Sequence, residues 1–176
     1  MIYTILIPRW QIQRWTRDLA QLITRTYGCN LPVFMVVLEG AKPFAAELLQ
    51  HFQTPEVVHV RCRSYVGTER KAVTIDDLPP DVLGRIKGRE VLIIEDIIDS
   101  GKTVEALVSQ LQAWGAKRTR AVAMLNRYNT PTELPILGVL ATLNTKEFVI
   151  GFGLDLNGQY REYENIYVVR QERKKT

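Results

Sequence analysis

The sequence predicts an α/β domain, with one mostly parallel, twisted sheet flanked by helices. Three observations carry that reading. Continuous apolar runs of strand length, Val33 to Leu38 and Val91 to Ile94, read as strands buried on both faces. Segments with apolar residues at helical spacing lie between such runs, which implies βαβ units. The 176-residue length suits one domain, and a chain of that size buries about 70% of its unfolded surface.

Taken in order, Ile12, Trp15, Leu19, Leu22 and Ile23 recur at helical spacing, and Gly28 stands where that helix should end. The Val33 to Leu38 strand follows. Gly40 and Ala41 then lead into a second helix through about His51. Val57 to Cys62 reads as another strand. From Ser64 to Lys87 the text is polar and carries Gly67, Asp76, Asp77, Pro79 and Pro80. We expect little regular structure there, and loops of that length are usually functional or disordered. Val91 to Ile94 is a short strand. Val104, Leu107, Val108 and Leu111 mark an amphipathic helix closing near Gly115. Short apolar runs at Arg120 to Leu125, Ile136 to Ala141, Phe148 to Phe152 and Ile166 to Val169 complete the set. No repeat or linker divides the chain.

Composition excludes several classes. At 46% apolar and 24% charged residues, the chain is neither disordered nor collagen-like. Its charge of +4 invites a nucleic-acid reading, but residues 170–176 hold four basic side chains and one acidic. Without them 19 basic residues face 18 acidic ones, a net of +1. The basicity belongs to an expected flexible tail, which argues against a nucleic-acid partner. Cys29 and Cys62 have no metal-ligand spacing and read as reduced thiols of a cytoplasmic protein. His51 and His59 are too few for a His-based metal site. The first ten residues do not read as a secretory signal, and no stretch approaches ~18 apolar residues, so no membrane span is expected.

Chemistry concentrates in residues 91–104, VLIIEDIIDSGKTV. Three carboxylates, Glu95, Asp96 and Asp99, appear where a buried strand leaves the sheet. Ser100, Gly101, Lys102 and Thr103 then turn the chain into a helix. Open α/β sheets bind ligands beyond the carboxyl ends of their strands. A small, Gly-containing turn at a helix start leaves backbone N–H groups free for an anion. The turn therefore suits a phosphate, and the acids beside it suit hydroxyls or a metal ion. Phosphate next to a diol is the pattern of a ribose phosphate. Acids at strand ends can simply solvate a loop, but three in five positions before such a turn exceed that explanation. Gly101, Lys102 and Thr103 also match the end of a P-loop, whose earlier glycine would fall on Asp96, so that reading fails.

The same segment resembles the phosphoribosyl-pyrophosphate motif of type I phosphoribosyltransferases, and its Glu-Asp-Ile-Ile-Asp form is most similar to the hypoxanthine–guanine branch. The similarity extends over nearly the whole chain. ILIPRWQIQRWTRDLAQLI resembles the opening strand and helix, and VVLEGAKPFAAELL the pyrophosphate-loop segment. SYVGT resembles the start of the mobile active-site loop, about residues 64–87. EFVIGFGLDLNGQYREYENIYVV resembles the purine-binding segment and final strand.

This resemblance implies a domain over residues 1–169, with a small hood of C-terminal segments above the sheet. It implies a cytoplasmic purine salvage enzyme. Hypoxanthine or guanine would react with phosphoribosyl pyrophosphate to give the nucleoside monophosphate and pyrophosphate, with Mg²⁺ as cofactor and a homo-oligomer as the working form. Ser100, Gly101, Lys102 and Thr103 would cradle the 5′-phosphate. Glu95 and Asp96 would hold the ribose hydroxyls and Mg²⁺, with Asp155 a further Mg²⁺ contact beside the base. Asp99 would be the general base or the partner of the imidazole nitrogen. Leu38, Glu39, Gly40 and Arg161 would bind pyrophosphate. Phe148 would stack on the purine, the Val149 backbone would read its edge, and Ser64 and Tyr65 would close over the site.

Three departures bear on substrate rather than reaction class. Glu39 stands where the family usually has lysine, tolerable if the loop works through backbone N–H groups in an unusual peptide geometry. Asn126 falls where a lysine normally donates to the 6-oxo group, with Arg127 adjacent. It can donate and accept, so discrimination between 6-oxo and 6-amino purines is expected to relax or change. The mobile loop also differs after Tyr65. Two other readings stand beside the first: a transferase for another base, and a non-catalytic nucleotide sensor on the same fold, with or without RNA as a partner.

Overall fold

The computed structural model describes residues 2–64, 73–128, 130–144 and 147–170. Six strands form the main sheet: β2 (Val33–Leu38), β3 (Val57–Ser64), β4 (Val73–Ile75), β5 (Glu90–Ile98), β6 (Arg118–Arg127) and β7 (Ile136–Leu143), in the order β4-β3-β2-β5-β6-β7. All pairings in it are parallel except β3 with β4. The other helices and strands are α1 (Arg9–Tyr27), α2 (Lys42–Leu49), α3 (Pro80–Ile86), α4 (Lys102–Ala113), and a second sheet of β1 (Ile2–Ile7), β8 (Phe148–Ile150) and β9 (Ile166–Arg170).

The two-residue alternation of a strand explains the continuous apolar runs. In β2, Phe34 and Val36 face one core with α1 and α2 residues, while Val33, Met35 and Val37 face another with Leu107 and Leu111 of α4. Leu92 and Ile94 of β5 join the first core, and Val91 and Ile93 the second. The sheet is thus covered on both sides. Helix α1 buries Ile12, Thr16, Leu19, Ala20 and Ile23, one face at helical spacing, and Gly28 caps it with φ +59° and an N–H to the Thr24 carbonyl at 2.8 Å.

Strand order reverses at β2, which has β3 on one side and β5 on the other. The crevice beyond the carboxyl ends of β2 and β5 is therefore where this topology places a ligand.

Three expectations need correction. Residues 64–87 are not without regular structure: beyond residues 65–72, which lie outside those described, come β4 and α3. Pro80 sits in the first turn of α3, where its missing N–H costs nothing, and the helix is too short to show a period. The tail begins later than residue 170, since Arg170 pairs with Ile2 across β9 and β1 and binds Glu147 at 2.7 Å. Residues 171–176 lie outside those described. The hood is also not wholly C-terminal, because β1 supplies one strand of its antiparallel order β1-β9-β8. The domain assignment to residues 1–169 otherwise rests on the sequence.

Candidate active site

Strand β5 delivers Glu95 and Asp96 at the crevice. Glu95 is buried, with its N-terminal neighbours in the core. Its Oε1 accepts the Asp96 backbone N–H at 3.2 Å, while its buried Oε2 has no hydrogen-bond partner among the described residues. Burial, reinforced by the adjacent Asp96 carboxylate, pushes the Glu95 carboxyl well above the ordinary range. A buried acid oxygen without a partner is costly unless a donor or cation completes it. Asp96 Oδ1 accepts the Ile97 N–H at 2.7 Å.

The loop after β2 packs against this pair. A Cβ at Gly40 would fall 1.7 Å from Asp96 Oδ2, so any larger residue there would push that carboxylate aside. The Leu38–Glu39 peptide bond is cis. On the hood side, a Cβ at Gly153 would fall 2.0 Å from the Gly40 carbonyl oxygen, and Gly153 has φ +96°. Core loop and hood loop thus meet backbone to backbone. Arg161 is fixed beside them: its guanidinium donates to the Gly153 carbonyl at 2.6 Å and pairs with Asp155 at 2.6 Å. Asp155 also accepts the Gly158 N–H at 2.7 Å.

After β5 the chain turns through Asp99 to Gly101, whose φ of +80° starts α4. No side chain caps that helix among the described residues, and its first residues, Lys102 to Val104, line a cleft. The cleft holds about 280 Å³ between the turn Asp99 to Val104, Glu95 and Val73. A larger cavity of about 760 Å³ lies at the opposite, amino ends of the strands, lined by Arg118 and Arg120 among others. Size favours the second, but topology and the helix start favour the first as the site.

Residues 11–157 match the model of the phosphoribosyl transferase domain. The chain belongs to the phosphoribosyltransferase family. Among relatives, this phosphoribosyltransferase is 31% identical over 176 residues to the hypoxanthine-guanine phosphoribosyltransferase of Lactococcus lactis, covering 97% of this chain and 93% of that one. It is 32% identical over 174 residues to the bifunctional protein TilS/HprT of Listeria innocua, covering 97% of this chain but spanning only about a quarter (26%) of that relative's length. Among solved structures, a hypoxanthine-guanine phosphoribosyltransferase from Bacillus anthracis superposes with a TM-score of 0.84 at 27% identity, covering 97% of this chain and all (100%) of that one.

The residues that the sequence of this phosphoribosyltransferase leads us to expect around a base lie on β8 and at the end of β6. Phe148 is 51% exposed rather than a core aromatic, so its ring is open to a ligand. Val149 is buried on β8, and among the described residues β8 pairs with β9 alone. Asn126 lies beside Ile98 in the β5–β6 register, and its buried Oδ1 has no partner among the described residues. Asp99 is exposed (67%) and pairs with Arg127 at 3.0 Å.

The structure therefore brings together Glu95, Asp96, Gly40 and Arg161 at one end of the crevice, and Asp99 beside the α4 start. Asp155 sits on Arg161, and no three His, Cys, Asp or Glu side chains converge as a metal cluster among the described residues. Ser64 ends β3, and Tyr65 lies outside the described residues. Sequence reasoning missed Lys42 and Arg61, which both contact Glu39, and the Asp99–Arg127 pair. Only the parallel register, which sets Arg61 beside Leu38, could have disclosed the second contact. No helix is long and apolar enough to cross a membrane among the described residues.

Proposed function

We propose that this phosphoribosyltransferase is a purine salvage enzyme. It would convert hypoxanthine, guanine or both, with phosphoribosyl pyrophosphate, into the nucleoside monophosphate and pyrophosphate. One observation carries the reading: the buried Glu95 with its half-buried neighbour Asp96, a glycine loop and an uncapped helix start converge at the switch point of the sheet. The names of the Lactococcus and Bacillus relatives support the choice of base.

In this reading the α4 start and the hydroxyls of Ser100 and Thr103 bind the 5′-phosphate, with Lys102 adding charge. Glu95 and Asp96 hold the ribose hydroxyls and Mg²⁺. The fit rests on the unpartnered Glu95 oxygen and on the liking of Mg²⁺ for one or two carboxylates plus substrate oxygens. When bound, the ion neutralises charge on the departing pyrophosphate. A base nitrogen bonds to the anomeric carbon as the carbon–oxygen bond to pyrophosphate breaks. Asp99 takes the proton that the base loses, and Arg161 and the loop of Leu38, Glu39 and Gly40 receive the leaving group. Phe148 stacks on the purine ring, Val149 offers backbone to its edge, and Asn126 meets the 6-position. Asp155 acts through Arg161, which it holds. The enzyme would work in the cytoplasm, where its free cysteines remain reduced, and as a homo-oligomer.

The test supplies phosphoribosyl pyrophosphate and Mg²⁺ with hypoxanthine, guanine, xanthine or adenine, and measures nucleotide formed. Product from hypoxanthine or guanine that vanishes on chelation is the expected result. No product from any base would sink the reading and leave a nucleotide sensor on the same fold.

A further inference from the structure

Glu39 is the acid on the loop that should receive a polyanion, and it is not bare. Its Oε2 is 2.5 Å from Lys42 Nζ and its Oε1 is 2.7 Å from an Arg61 guanidinium nitrogen. Each oxygen is thus taken by one cation. Arg61 is in register with Leu38, the residue before Glu39, so the sheet itself carries this arginine to the loop. The Lys42 hydrogen bond holds the Glu39 carboxyl below its ordinary range, and Arg61 and Arg161 add to the effect. The side chains of Glu39, Lys42 and Arg61 are 38%, 53% and 55% exposed. Pairs this exposed are weak and exchange readily. A diphosphate offers several charged oxygens where the carboxylate offers two, which suits it to compete with Glu39 for both cations.

We propose that Glu39 is an internal counter-anion, occupying Lys42 and Arg61 until the pyrophosphate group of the donor displaces it. Lys42 and Arg61 then become the leaving group's cationic contacts beside Arg161, and Glu39 tunes how tightly pyrophosphate is held and how fast it leaves. The inference rests on the reading of the site as a phosphoribosyltransferase centre.

The test measures calorimetric binding of pyrophosphate with Mg²⁺ to the full chain, together with the donor KM and kcat. Glu39→Gln should bind pyrophosphate roughly threefold to tenfold tighter and lower the donor KM similarly, since the competing ion pairs are gone. Adding Lys42→Gln should remove most of that gain, because the freed lysine supplies it. Glu39→Asp, which keeps the charge on a shorter arm, should fall between, and it carries the test if Glu39→Gln folds poorly. Unchanged or weaker pyrophosphate binding in both variants overturns the proposal and makes Glu39 a plain loop anchor. A changed Mg²⁺ requirement at constant pyrophosphate affinity also overturns it, in favour of a metal ligand. Wild-type protein that binds pyrophosphate yet makes no nucleotide would defeat the enzymatic reading while leaving this measurement intact.

Discussion

In the proposed reaction, Asp99 and Asn126 each carry a step that a single substitution can test. Asp99 is exposed and held by Arg127, so it is oriented without being desolvated. Substituting Asn keeps shape and hydrogen bonding but removes the carboxylate that the proposed mechanism uses as proton acceptor. Asp99→Asn should lower kcat at least about a hundredfold while the donor KM moves little, in steady-state assays with hypoxanthine. Equal losses in both would make Asp99 a binding residue only. Asn126 presents a buried acceptor that has no partner in the described protein. Asn126→Lys replaces a group that donates and accepts with one that only donates. The kcat/KM ratio of hypoxanthine over adenine should then rise at least about tenfold, the worth of a charged hydrogen bond. An unchanged ratio would show that position 126 does not read the ring.

The loops after β2 and β8 depend on glycine for different reasons, and substitution separates them. Gly153 combines φ +96° with a Cβ position 2.0 Å from the Gly40 carbonyl. Gly153→Ala should lower Tm by roughly 4–8 °C and weaken activity as well. At Gly40 the clash is with the Asp96 carboxylate, the end of a side chain that can swing away. Gly40→Ala should therefore spare most of the Tm but raise the donor KM, as thermal melts and kinetics on the same samples would show. Other elements differ in how openly the sequence announced them. Strand β5, its turn and α4 were legible because a buried apolar run, three acids and a small-residue turn follow one another directly. Strand β4 and helix α3 were not, being three and seven residues long and set among Pro and Asp residues that read as loop. Arg170 was misplaced because a charged residue on an exposed strand end looks like a solvated tail.

At the scale of the molecule, two sheets divide the labour unequally. The central strands β2, β5 and β6 of the larger sheet are buried on both faces, while β1 exposes its first five residues and sits at the edge of a three-stranded hood. Native-state hydrogen exchange should find β2, β5 and β6 amides opening only with global unfolding, and β1 amides opening at lower free energy. Uniform protection across both sheets would contradict that division. The pairing of β1 with β9 was not foreseeable, because two antiparallel strands at opposite ends of the chain leave no local signal. The register of the larger sheet carries one more consequence. Ile98 of β5 lies opposite Asn126 of β6, and the residues that follow them, Asp99 and Arg127, pair through their side chains. Slipping either strand by a single residue would turn its core side chains to the wrong face. An insertion within either strand before this rung would therefore cost core packing, whereas a change of side chain at position 126 or 127 would leave the register intact.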